Sequence, residues 1–323
     1  MTRLLVAGKL HPAGEALLRE LPERGVHVDY VEEVSEPSYA PLIETADALV
    51  IRTQPLSADT IGRAERLKVV SRHGVGYDSV DLAALNARGI ALTIVGDVNS
   101  VSVAEHAMMQ LLAGAKRVLE ADRAVRDPER WGWRNRLEQQ EISGKRLLII
   151  GYGRIGRHLA RMAAGFRMQV RAYDPYLEEA GWPEGDIAAI SDLKEALAWA
   201  DCISIHIPRG EKPMLDEAEF SAMKPGVILA NTARGGVVSE AALSEALATG
   251  RVAAAGVDVF DVEPPDGTSP LASQDAAILS PHIAGLTNEC GERMAIASIE
   301  NALGYLDGTI APDLVVNRDS LRT

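Results

Sequence analysis

The feature that most constrains the fold is a regular alternation of short apolar runs with alanine-rich amphipathic stretches along the whole chain. Continuous apolar runs of this length, flanked by helical patterns, are typical of strands buried on both faces of a parallel sheet. In chain order, the predicted strands are RLLVAG, VHVDYV, ALVIR, KVVSRH, ALTIV, RLLIIG, QVRAYD, DIAAI, CISIHI, GVILANTA, AAAGVDVF and AAILS. The predicted fold class is therefore α/β with parallel sheets.

A long helix is predicted between the first five runs and the remaining seven. It begins at Ser100 or Ser102 and continues through about Val118. Ser102-Val-Ala-Glu105 has the spacing of a capping box, in which the serine oxygen accepts the amide of Glu105. With 323 residues and a break of this kind, the chain is expected to form two domains.

The charge and cysteine content exclude several classes of protein. The net charge is −13, and an acidic chain of this size repels phosphate backbones, so no nucleic-acid partner is expected. Cys202 and Cys290 are far apart and form neither a disulfide framework nor a metal motif, so no metal is predicted. No apolar run reaches the roughly 18 residues of a membrane span, and no signal peptide is evident. We expect a cytoplasmic protein without a membrane partner.

A glycine-rich sequence, Gly151-Tyr-Gly153-Arg154-Ile155-Gly156, follows the strand RLLIIG and opens a helix. In such a turn, the first glycine permits tight folding and the second lets the backbone approach a pyrophosphate. The third lets the helix and the strand pack closely. The helix N-terminus then offers its free amides to the phosphates. This context predicts a dinucleotide-binding site.

Asp174 ends the next strand, QVRAYD, 18 residues after Gly156. A carboxylate in this place binds the adenine-ribose hydroxyls of a dinucleotide. The same charge would repel the additional phosphate of NADP, so the predicted cofactor is NAD.

Three polar residues, Arg234, Glu263 and His282, follow late strands, where open α/β sheets bind their ligands. Taken singly, each has an ordinary explanation as a solvated or hydrogen-bonded loop residue. Together, the motifs around them resemble those of the D-isomer-specific 2-hydroxyacid dehydrogenases. The motifs, in family order, are Ser71-Arg-His-Gly-Val-Gly-Tyr-Asp78, Ser102-Val-Ala-Glu105, the glycine-rich turn, His206-Ile-Pro208, Asn231-Thr-Ala-Arg234-Gly-Gly236, Asp258-Val-Phe-Asp-Val-Glu263-Pro264 and Pro281-His-Ile-Ala-Gly285.

The resemblance implies a catalytic role for each of the three residues. His282 would take the substrate hydroxyl proton as hydride leaves for the nicotinamide, and would return it during reduction. Glu263 would orient and stabilise the imidazole, and Arg234 would bind the carboxylate and 2-oxo oxygen of the substrate. The amides of Val75 and Gly76 would bind the other side of the carboxylate.

The resemblance also implies further cofactor contacts and a choice among relatives. Asp258 would contact the nicotinamide carboxamide, and the NAD would also be lined by His206, Pro208, Thr232 and Gly285.

Formate dehydrogenases of the superfamily have Gln in the place of Glu263, because formate oxidation releases no hydroxyl proton. Phosphite dehydrogenases keep a similar set of residues, so they remain an alternative.

Arg52 and Arg72 follow strands of the first series, and this arrangement resembles the phosphoglycerate dehydrogenases, whose substrate carries a second anion. Both arginines could instead be structural, paired with loop carboxylates. His73 stands where that subgroup usually has a small residue. Glyoxylate or hydroxypyruvate reductase is the alternative activity. The chain ends at Thr323, so we expect no C-terminal regulatory domain of the kind many phosphoglycerate dehydrogenases have.

The resemblance implies two Rossmann-like or flavodoxin-like domains with a cleft between them. Residues 1–99, completed by 289–323, would bind substrate, and residues 100–288 would bind NAD. The long helix and the segment around Trp131 and Trp133 resemble the dimer contacts of the family, although these residues could also cover their own chain. An NAD(H)-sensing binding protein of the corepressor kind shares the same fold and triad, and it is the alternative of another class.

Overall fold

The computed structural model describes residues 1–183, 185 and 187–321. It forms two compact units. The first unit contains residues 1–99 and the segment from Leu286 onward, and the second unit contains Ser100–Gly285. Each unit is built around its own parallel sheet.

The strands and helices of the described residues alternate along the chain. The strands are β1 (Thr2–Ala7), β2 (Val26–Val31), β3 (Ala48–Ile51), β4 (Val69–Arg72), β5 (Ala91–Thr93), β6 (Arg146–Ile150), β7 (Gln169–Tyr173), β8 (Ala188–Ala189), β9 (Cys202–Ile205), β10 (Val227–Asn231), β11 (Val252–Val257) and β12 (Ala277–Leu279). The helices are α1 (Pro12–Glu20), α2 (Glu36–Tyr39), α3 (Ala58–Arg63), α4 (Leu82–Ala87), α5 (Ser100–Lys116), α6 (Val118–Arg126), α7 (Arg154–Gly165), α8 (Pro175–Ala180), α9 (Leu193–Trp199), α10 (Glu217–Ala222), α11 (Glu240–Ala248) and α12 (Asn288–Asp307).

The first sheet has the strand order β2-β1-β3-β4-β5 in the described residues, and every pairing in it is parallel. The β3 strand is buried along its whole length, as expected for a strand covered on both faces. The final helix, α12, packs on this sheet through residues that include Ala295 and Ile299, which lie in one cluster with Leu4 and Val50. Since Ile51 is in register with Arg72, the side chains that follow β3 and β4 lie at the same edge of the sheet.

The second sheet has the strand order β12-β11-β10-β9-β6-β7-β8 in the described residues, also with parallel pairings throughout. The chain reverses its direction of winding between β6 and β9, and such a switch point is where open parallel sheets bind ligands. The two parallel sheets with alternating helices confirm the predicted α/β fold class.

The long helix has one of its two predicted starts, but its end and the role of Ser102 differ from the prediction. It begins at Ser100, so Ser102 lies inside the helix, where its hydroxyl donates to the carbonyl oxygen of Ala284 at 2.7 Å. The capping-box interpretation of Ser102 is therefore wrong. The helix ends at Lys116 because Arg117 adopts a left-handed conformation with φ +47°, and α6 starts directly after it.

Two other segments are less regular than the long helix. The predicted strand DIAAI is reduced to Ala188 and Ala189, while its first residue, Asp186, lies outside the described residues. The segment with Trp131 and Trp133 forms a 3-10 helical stretch over Pro128–Arg136 rather than regular helix. Among the helices of the described residues, none combines the length and apolar character that a membrane crossing requires.

Candidate active site

The glycine-rich turn lies at the carboxyl end of β6, and its three glycines have different surroundings. Gly151 has φ +95°, and a Cβ atom there would lie 2.6 Å from the carbonyl oxygen of His206. A Cβ atom on Gly156 would lie 2.3 Å from the carbonyl oxygen of Gly151. A Cβ atom on Gly153 would meet nothing within 4 Å. Gly151 and Gly156 are thus required by packing, whereas the open space at Gly153 leaves the backbone approachable by a ligand.

The helix α7 starts at Arg154 and Ile155, directly after this turn. Its N-cap residue is Gly153, which has no side chain that could accept the first amides of the helix. Amides at a helix N-terminus without a side-chain cap form an anion-binding site, because the partial positive charge of the helix dipole adds to the hydrogen bonds. The turn therefore offers both the space and the donors that a pyrophosphate requires.

Asp174 follows β7 and lies beside the glycine-rich turn. One of its carboxylate oxygens accepts the amide of Tyr152 at 2.8 Å, and the other accepts the amides of Tyr176 and Leu177 at 3.1 and 3.2 Å. Asp174 thus caps α8 and also fixes the turn. A cavity of about 210 Å³ at this place is lined by Tyr173, Asp174, Pro175, Glu178, Glu179, Ile190 and Ser191. Its three carboxylates make the cavity unfavourable for an additional phosphate.

The other predicted cofactor residues follow β9, β10 and β12. His206 contacts the Ser204 hydroxyl through Nε2 at 2.9 Å, and burial lowers its pKa to about 3, so the ring is neutral. Pro208 lines a cavity of about 280 Å³, and Gly285 directly follows the buried Ala284. The buried Thr232 hydroxyl has no hydrogen-bond partner among the described residues. A buried hydroxyl of this kind fits a ligand that would form a hydrogen bond with it.

His282 and Glu263 form a close pair. The Nδ1 atom of His282 lies 2.6 Å from Oε2 of Glu263, and Oε1 of Glu263 accepts the amide of Phe260 at 3.0 Å. Because an ionised carboxylate only accepts hydrogen bonds, Nδ1 carries the proton of this contact. The other ring nitrogen, Nε2, is consequently the one available for proton exchange with a ligand.

The pair also changes the acidity of both groups. The hydrogen bond to Glu263 raises the pKa of His282 above its ordinary value, although burial opposes this. Burial alone would raise the pKa of Glu263, but the hydrogen bond from His282 and the nearby charges hold this pKa below its usual range. The positive charge of Arg234 lowers both pKa values, which places the guanidinium close enough to act on both groups. The three predicted catalytic residues thus form one electrostatic cluster.

The loop that carries Arg234 is fixed by its neighbours. The Asn231 side chain accepts the amide of Ala233 at 3.1 Å and donates to the carbonyl oxygen of Arg234 at 3.2 Å. A Cβ atom on Gly235 would lie 1.8 Å from the carbonyl oxygen of Phe260, so only glycine fits there. The sequence Ala-Arg-Gly-Gly therefore reflects close backbone packing beside the guanidinium.

His282 has an unusual backbone that Asp258 supports. Its φ is +52°, and its amide donates to the carbonyl oxygen of Asp258 at 2.8 Å. The Asp258 side chain is fully buried, and it accepts the amides of Ile283 at 3.0 Å and Ala284 at 2.8 Å. The predicted contact of Asp258 with a carboxamide stays a prediction. What the structure shows for this carboxylate is support for the loop around His282.

His106 and Ser280 were not among the predicted site residues, but both contribute to the support of the same loop. His106 of α5 places Nε2 3.0 Å from the Ser280 hydroxyl, which donates to Oδ1 of Asp258 at 2.5 Å. The available signal was the spacing of His106 from Ser102, because residues four apart in a helix lie on the same face.

The predicted substrate residues of the first unit lie at the ends of β3 and β4. Arg52 donates to the carbonyl oxygen of Lys9 at 3.2 Å, and Arg72 donates to that of His73 at 3.2 Å. His73 is buried, and this burial, together with the charges of the two arginines, lowers its pKa to about 4. Its Nε2 atom has no hydrogen-bond partner within the described residues. The histidine is therefore neutral beside two permanent cations.

Val75 and Gly76 continue the turn after β4. Gly74, which precedes them, has φ +150°, and its carbonyl oxygen accepts the amide of Val95 at 3.2 Å. The Val75 side chain packs against a small apolar cluster that contains Val95 and Cys290. These contacts anchor the turn whose amides are predicted to bind a carboxylate.

Comparisons with known proteins support one family. A family model described as "D-isomer specific 2-hydroxyacid dehydrogenase, NAD binding domain" matches residues 108–284. A D-3-phosphoglycerate dehydrogenase of Mycobacterium bovis is 37% identical over 315 residues, which cover 97% of this chain and 58% of the relative. A glyoxylate reductase of Korarchaeum cryptofilum is 36% identical over 313 residues, which cover 92% of this chain and 94% of the relative.

A solved structure agrees with these relatives. The crystal structure of the TT0316 protein from Thermus thermophilus is 34% identical, covers 98% of this chain and 100% of its own, and superposes with a TM-score of 0.86. The chain spans a little less than three fifths of the phosphoglycerate dehydrogenase, but nearly all of the glyoxylate reductase. The family and the NAD cofactor predicted from the motifs are confirmed, and the chain belongs to the D-isomer specific 2-hydroxyacid dehydrogenase family.

Proposed function

We propose that the protein is an NAD-dependent dehydrogenase that interconverts a D-2-hydroxy acid and the corresponding 2-oxo acid. The observation that carries this proposal is the 2.6 Å contact between His282 and Glu263, within the electrostatic reach of Arg234. A histidine with a raised pKa, a carboxylate that orients it and a fixed cation are the groups that reversible hydroxyl oxidation requires.

In the oxidation direction, Nε2 of His282 accepts the hydroxyl proton while the C–H bond of carbon 2 releases hydride. Glu263 keeps Nδ1 protonated and stabilises the imidazolium that results. In the reduction direction, the imidazolium returns this proton to the 2-oxo oxygen. The chemistry that bound NAD would supply is the acceptance of this hydride, and its return from the reduced form in the opposite direction.

Arg234 binds the common part of the substrate. Its planar group of donors matches a carboxylate, and its permanent charge stabilises the negative charge that develops on the 2-oxo oxygen during reduction. The amides of Val75 and Gly76 provide a second set of donors for the carboxylate. We propose this assignment for every 2-oxo acid that the enzyme accepts.

The cofactor is held by residues of the second unit. The amides that follow Gly153, at the start of α7, would bind the pyrophosphate, and Asp174 would bind the adenine ribose. The buried Thr232 hydroxyl lines the cofactor, together with His206, Pro208, Asp258 and Gly285. The carboxylates around Asp174 favour NAD over NADP.

The substrate is a 2-oxo acid with a second anionic group, such as phosphohydroxypyruvate. Arg52 and Arg72 lie at neighbouring strand ends of the first sheet, and each would form a charge-assisted hydrogen bond with that group. Glyoxylate or hydroxypyruvate reduction is the second candidate, because the Korarchaeum cryptofilum relative, which the chain covers almost completely, is a glyoxylate reductase.

A panel of 2-oxo acids with NADH tests the proposal, followed by absorbance of the reduced nicotinamide. The panel contains phosphohydroxypyruvate, hydroxypyruvate, glyoxylate, pyruvate and oxaloacetate. Phosphohydroxypyruvate should have the highest kcat/KM. A protein that binds NADH but oxidises none of it in a single turnover with any of these acids would be a binding protein rather than a dehydrogenase.

We also propose an assembly and a cellular location for the protein. Trp131 is 57% exposed in the 3-10 stretch that follows α6, and Val125 and Leu137 nearby are exposed as well. Exposed large apolar residues that are close in sequence favour an interface, so we propose a homodimer that buries this segment. A cytoplasmic location agrees with the free, buried Cys202 and Cys290.

A further inference from the structure

The helix α5 contacts the loop that carries His282 through two side chains. The Ser102 hydroxyl donates to the carbonyl oxygen of Ala284 at 2.7 Å, and His106 approaches the Ser280 hydroxyl at 3.0 Å. Residues four apart lie on the same face of a helix, so both contacts are made by one face of α5. They reach the loop on either side of His282.

The direction of the hydrogen bonds follows from the groups involved. The Asp258 carboxylate only accepts, so the one hydroxyl hydrogen of Ser280 is donated to Oδ1 of Asp258, 2.5 Å away. The Ser280 oxygen must then accept from His106, which requires a proton on Nε2 of that ring. The result is a directed chain from His106 through Ser280 to Asp258.

This chain ends at the group that fixes the backbone of His282. Asp258 accepts the amides of Ile283 and Ala284 through its side chain, and that of His282 through its carbonyl oxygen. His282 has φ +52°, a conformation that residues other than glycine seldom adopt and that the surroundings must stabilise. The hydrogen bonds around Asp258 are the contacts that supply this stabilisation.

We propose that Ser102 and His106 are positioning residues that hold the backbone of His282 in its left-handed conformation. His106 acts through Ser280 and Asp258, and Ser102 acts through the backbone of Ala284. The inference rests on the proposed function, because the purpose of this arrangement is to keep the imidazole in the orientation that proton transfer needs. Neither residue has to contact substrate or cofactor.

The first test compares His106→Leu with His106→Gln. Leu removes the donor to Ser280, whereas the Gln amide can replace it. We expect His106→Leu to lower kcat for the best 2-oxo acid about ten- to a hundredfold, the range in which a small misplacement of a reacting group reduces rates. KM and the Kd of NADH should change less than about threefold, and His106→Gln should recover most of the rate. Equal losses in both variants, or a loss confined to KM, would overturn the proposal.

A double-mutant cycle tests the connection itself. Ser280→Ala breaks the same chain one step later, so the double variant His106→Leu/Ser280→Ala should lose no more activity than the worse single variant. Losses that multiply would show that the two residues act independently, and this result would contradict the chain.

The second contact has a matched control. Ser102→Ala and Ser298→Ala each remove a buried hydroxyl that donates to a helix or loop carbonyl, and Ser298 lies in α12 with its bond to Ala295 at 3.0 Å. Melting temperatures of the two variants should fall by similar amounts, while only Ser102→Ala should lower kcat. An equal effect of both substitutions on kcat would mean that Ser102 contributes only to stability and has no positioning role.

Amide hydrogen exchange separates this inference from the proposed reaction. In His106→Leu, the amides of Ile283 and Ala284 should exchange at least about tenfold faster than in the unaltered protein, and in His106→Gln they should remain protected. If the unaltered protein reduced no 2-oxo acid, the proposed function would fail while this measurement still tested the positioning role. Unchanged exchange in the Leu variant would overturn the positioning role whatever the activity.

Discussion

The carboxyl ends of the strands in the two sheets differ in the kind of charged group that they present. At the first sheet, Arg52 and Arg72 are permanent cations, and His73, which directly follows Arg72, is buried and has a pKa of about 4. At the second sheet, His282 is paired with Glu263 and has a raised pKa. One edge thus offers fixed charge, and the other offers a group that can exchange a proton near neutral pH.

The difference between His73 and His282 shows what makes a strand-end histidine suitable for acid–base chemistry. Burial without an anionic partner, and next to cations, removes the charge of His73. His282 is also partly withdrawn from water, but the hydrogen bond to Glu263 outweighs the cost of that withdrawal. The partner carboxylate, rather than the position at a strand end, therefore decides the role.

The difference between the two edges indicates that residues for proton transfer and residues for substrate choice lie at different sheets. Substitutions of His282 or Glu263 at the second sheet should affect the chemical step for every substrate, and substitutions of the arginines at the first sheet should affect the choice among substrates. Single substitutions at each edge test whether these two roles belong to different residues.

The largest effect is expected from His282→Ala. Loss of a general acid–base group lowers turnover by roughly 10²- to 10⁴-fold, and binding of NADH should be retained because the phosphate-binding turn is unaltered. Steady-state kinetics and NADH fluorescence titration measure the two properties. His27→Ala is a matched control, because His27 also contacts a carboxylate, that of Asp29, at 3.2 Å, and belongs to neither site. Near-normal turnover in a folded His282→Ala protein would refute the assignment.

Glu263→Gln should have the next largest effect, and it should depend on pH. Reduction of the 2-oxo acid requires protonated His282, and the raised pKa keeps it protonated to higher pH than an ordinary histidine. Without the charge of Glu263, this pKa falls, so the decline of kcat/KM for reduction with rising pH should move to lower pH. The remaining charges near His282 are those of Asp258, which raises its pKa, and Arg234, which lowers it.

At low pH, where His282 is protonated in both proteins, the variant should still be slower by about tenfold, because the orienting bond to Nδ1 is weaker. The measurement is a pH profile of kcat/KM for both proteins with the same acid. A profile that stays in place, or moves to higher pH, would contradict the role of Glu263.

Much of this organisation could be predicted from the sequence, because it depends on local patterns. Apolar runs located the strands, and the different roles of Gly151, Gly153 and Gly156 agree with the space around each of them. The pairing of Glu263 with His282 was expected only from the family resemblance. No spacing rule brings together two residues that lie on loops after different strands.

What could not be predicted depends on contacts between residues distant in the sequence. Ser102 had the spacing of a helix cap, but its hydroxyl bonds to Ala284, 182 residues further on. Asp258 was assigned to the cofactor from the resemblance, and nothing local indicates that its carboxylate accepts the amides of Ile283 and Ala284. Interactions of this kind are set by how the strands are ordered in the sheet, which the pattern of runs does not specify.

A smaller effect is expected at the first sheet. Phosphohydroxypyruvate should exceed pyruvate in kcat/KM by at least about tenfold, corresponding to roughly 1.4 kcal/mol of additional transition-state binding. Arg72→Ala should remove most of that advantage and leave pyruvate turnover nearly unchanged, since Arg234 binds the part that both acids share. Arg63→Ala, which removes an exposed arginine paired with Glu44, is the control. If Arg72→Ala impaired both substrates equally, the separation between the two edges would be lost.

The smallest effect is expected for the choice of cofactor. It tests whether cofactor binding and the chemical step depend on different residues of the second sheet. We expect NAD to bind better than NADP, because the 2′-phosphate would approach the carboxylate of Asp174. Two like charges about 4 Å apart in water repel by about 1 kcal/mol, or roughly a fivefold change in affinity per charge pair. Asp174→Asn should therefore narrow the ratio of the two Kd values by about fivefold, with little change in kcat once NADH is saturating.

Asn is a better test than Ala, because Asp174 also caps α8 and accepts the amide of Tyr152. The Asn oxygen can keep part of these bonds, whereas Ala would remove the cap and cost about 1 kcal/mol of stability. Asp192→Asn is a matched control, since Asp192 caps α9 in the same way through the amide of Glu195 at 2.7 Å. Equal affinity of the unaltered protein for both cofactors would contradict the role of Asp174. A change in kcat as large as that of Glu263→Gln would mean that the cofactor and proton-transfer residues of this sheet are not separable.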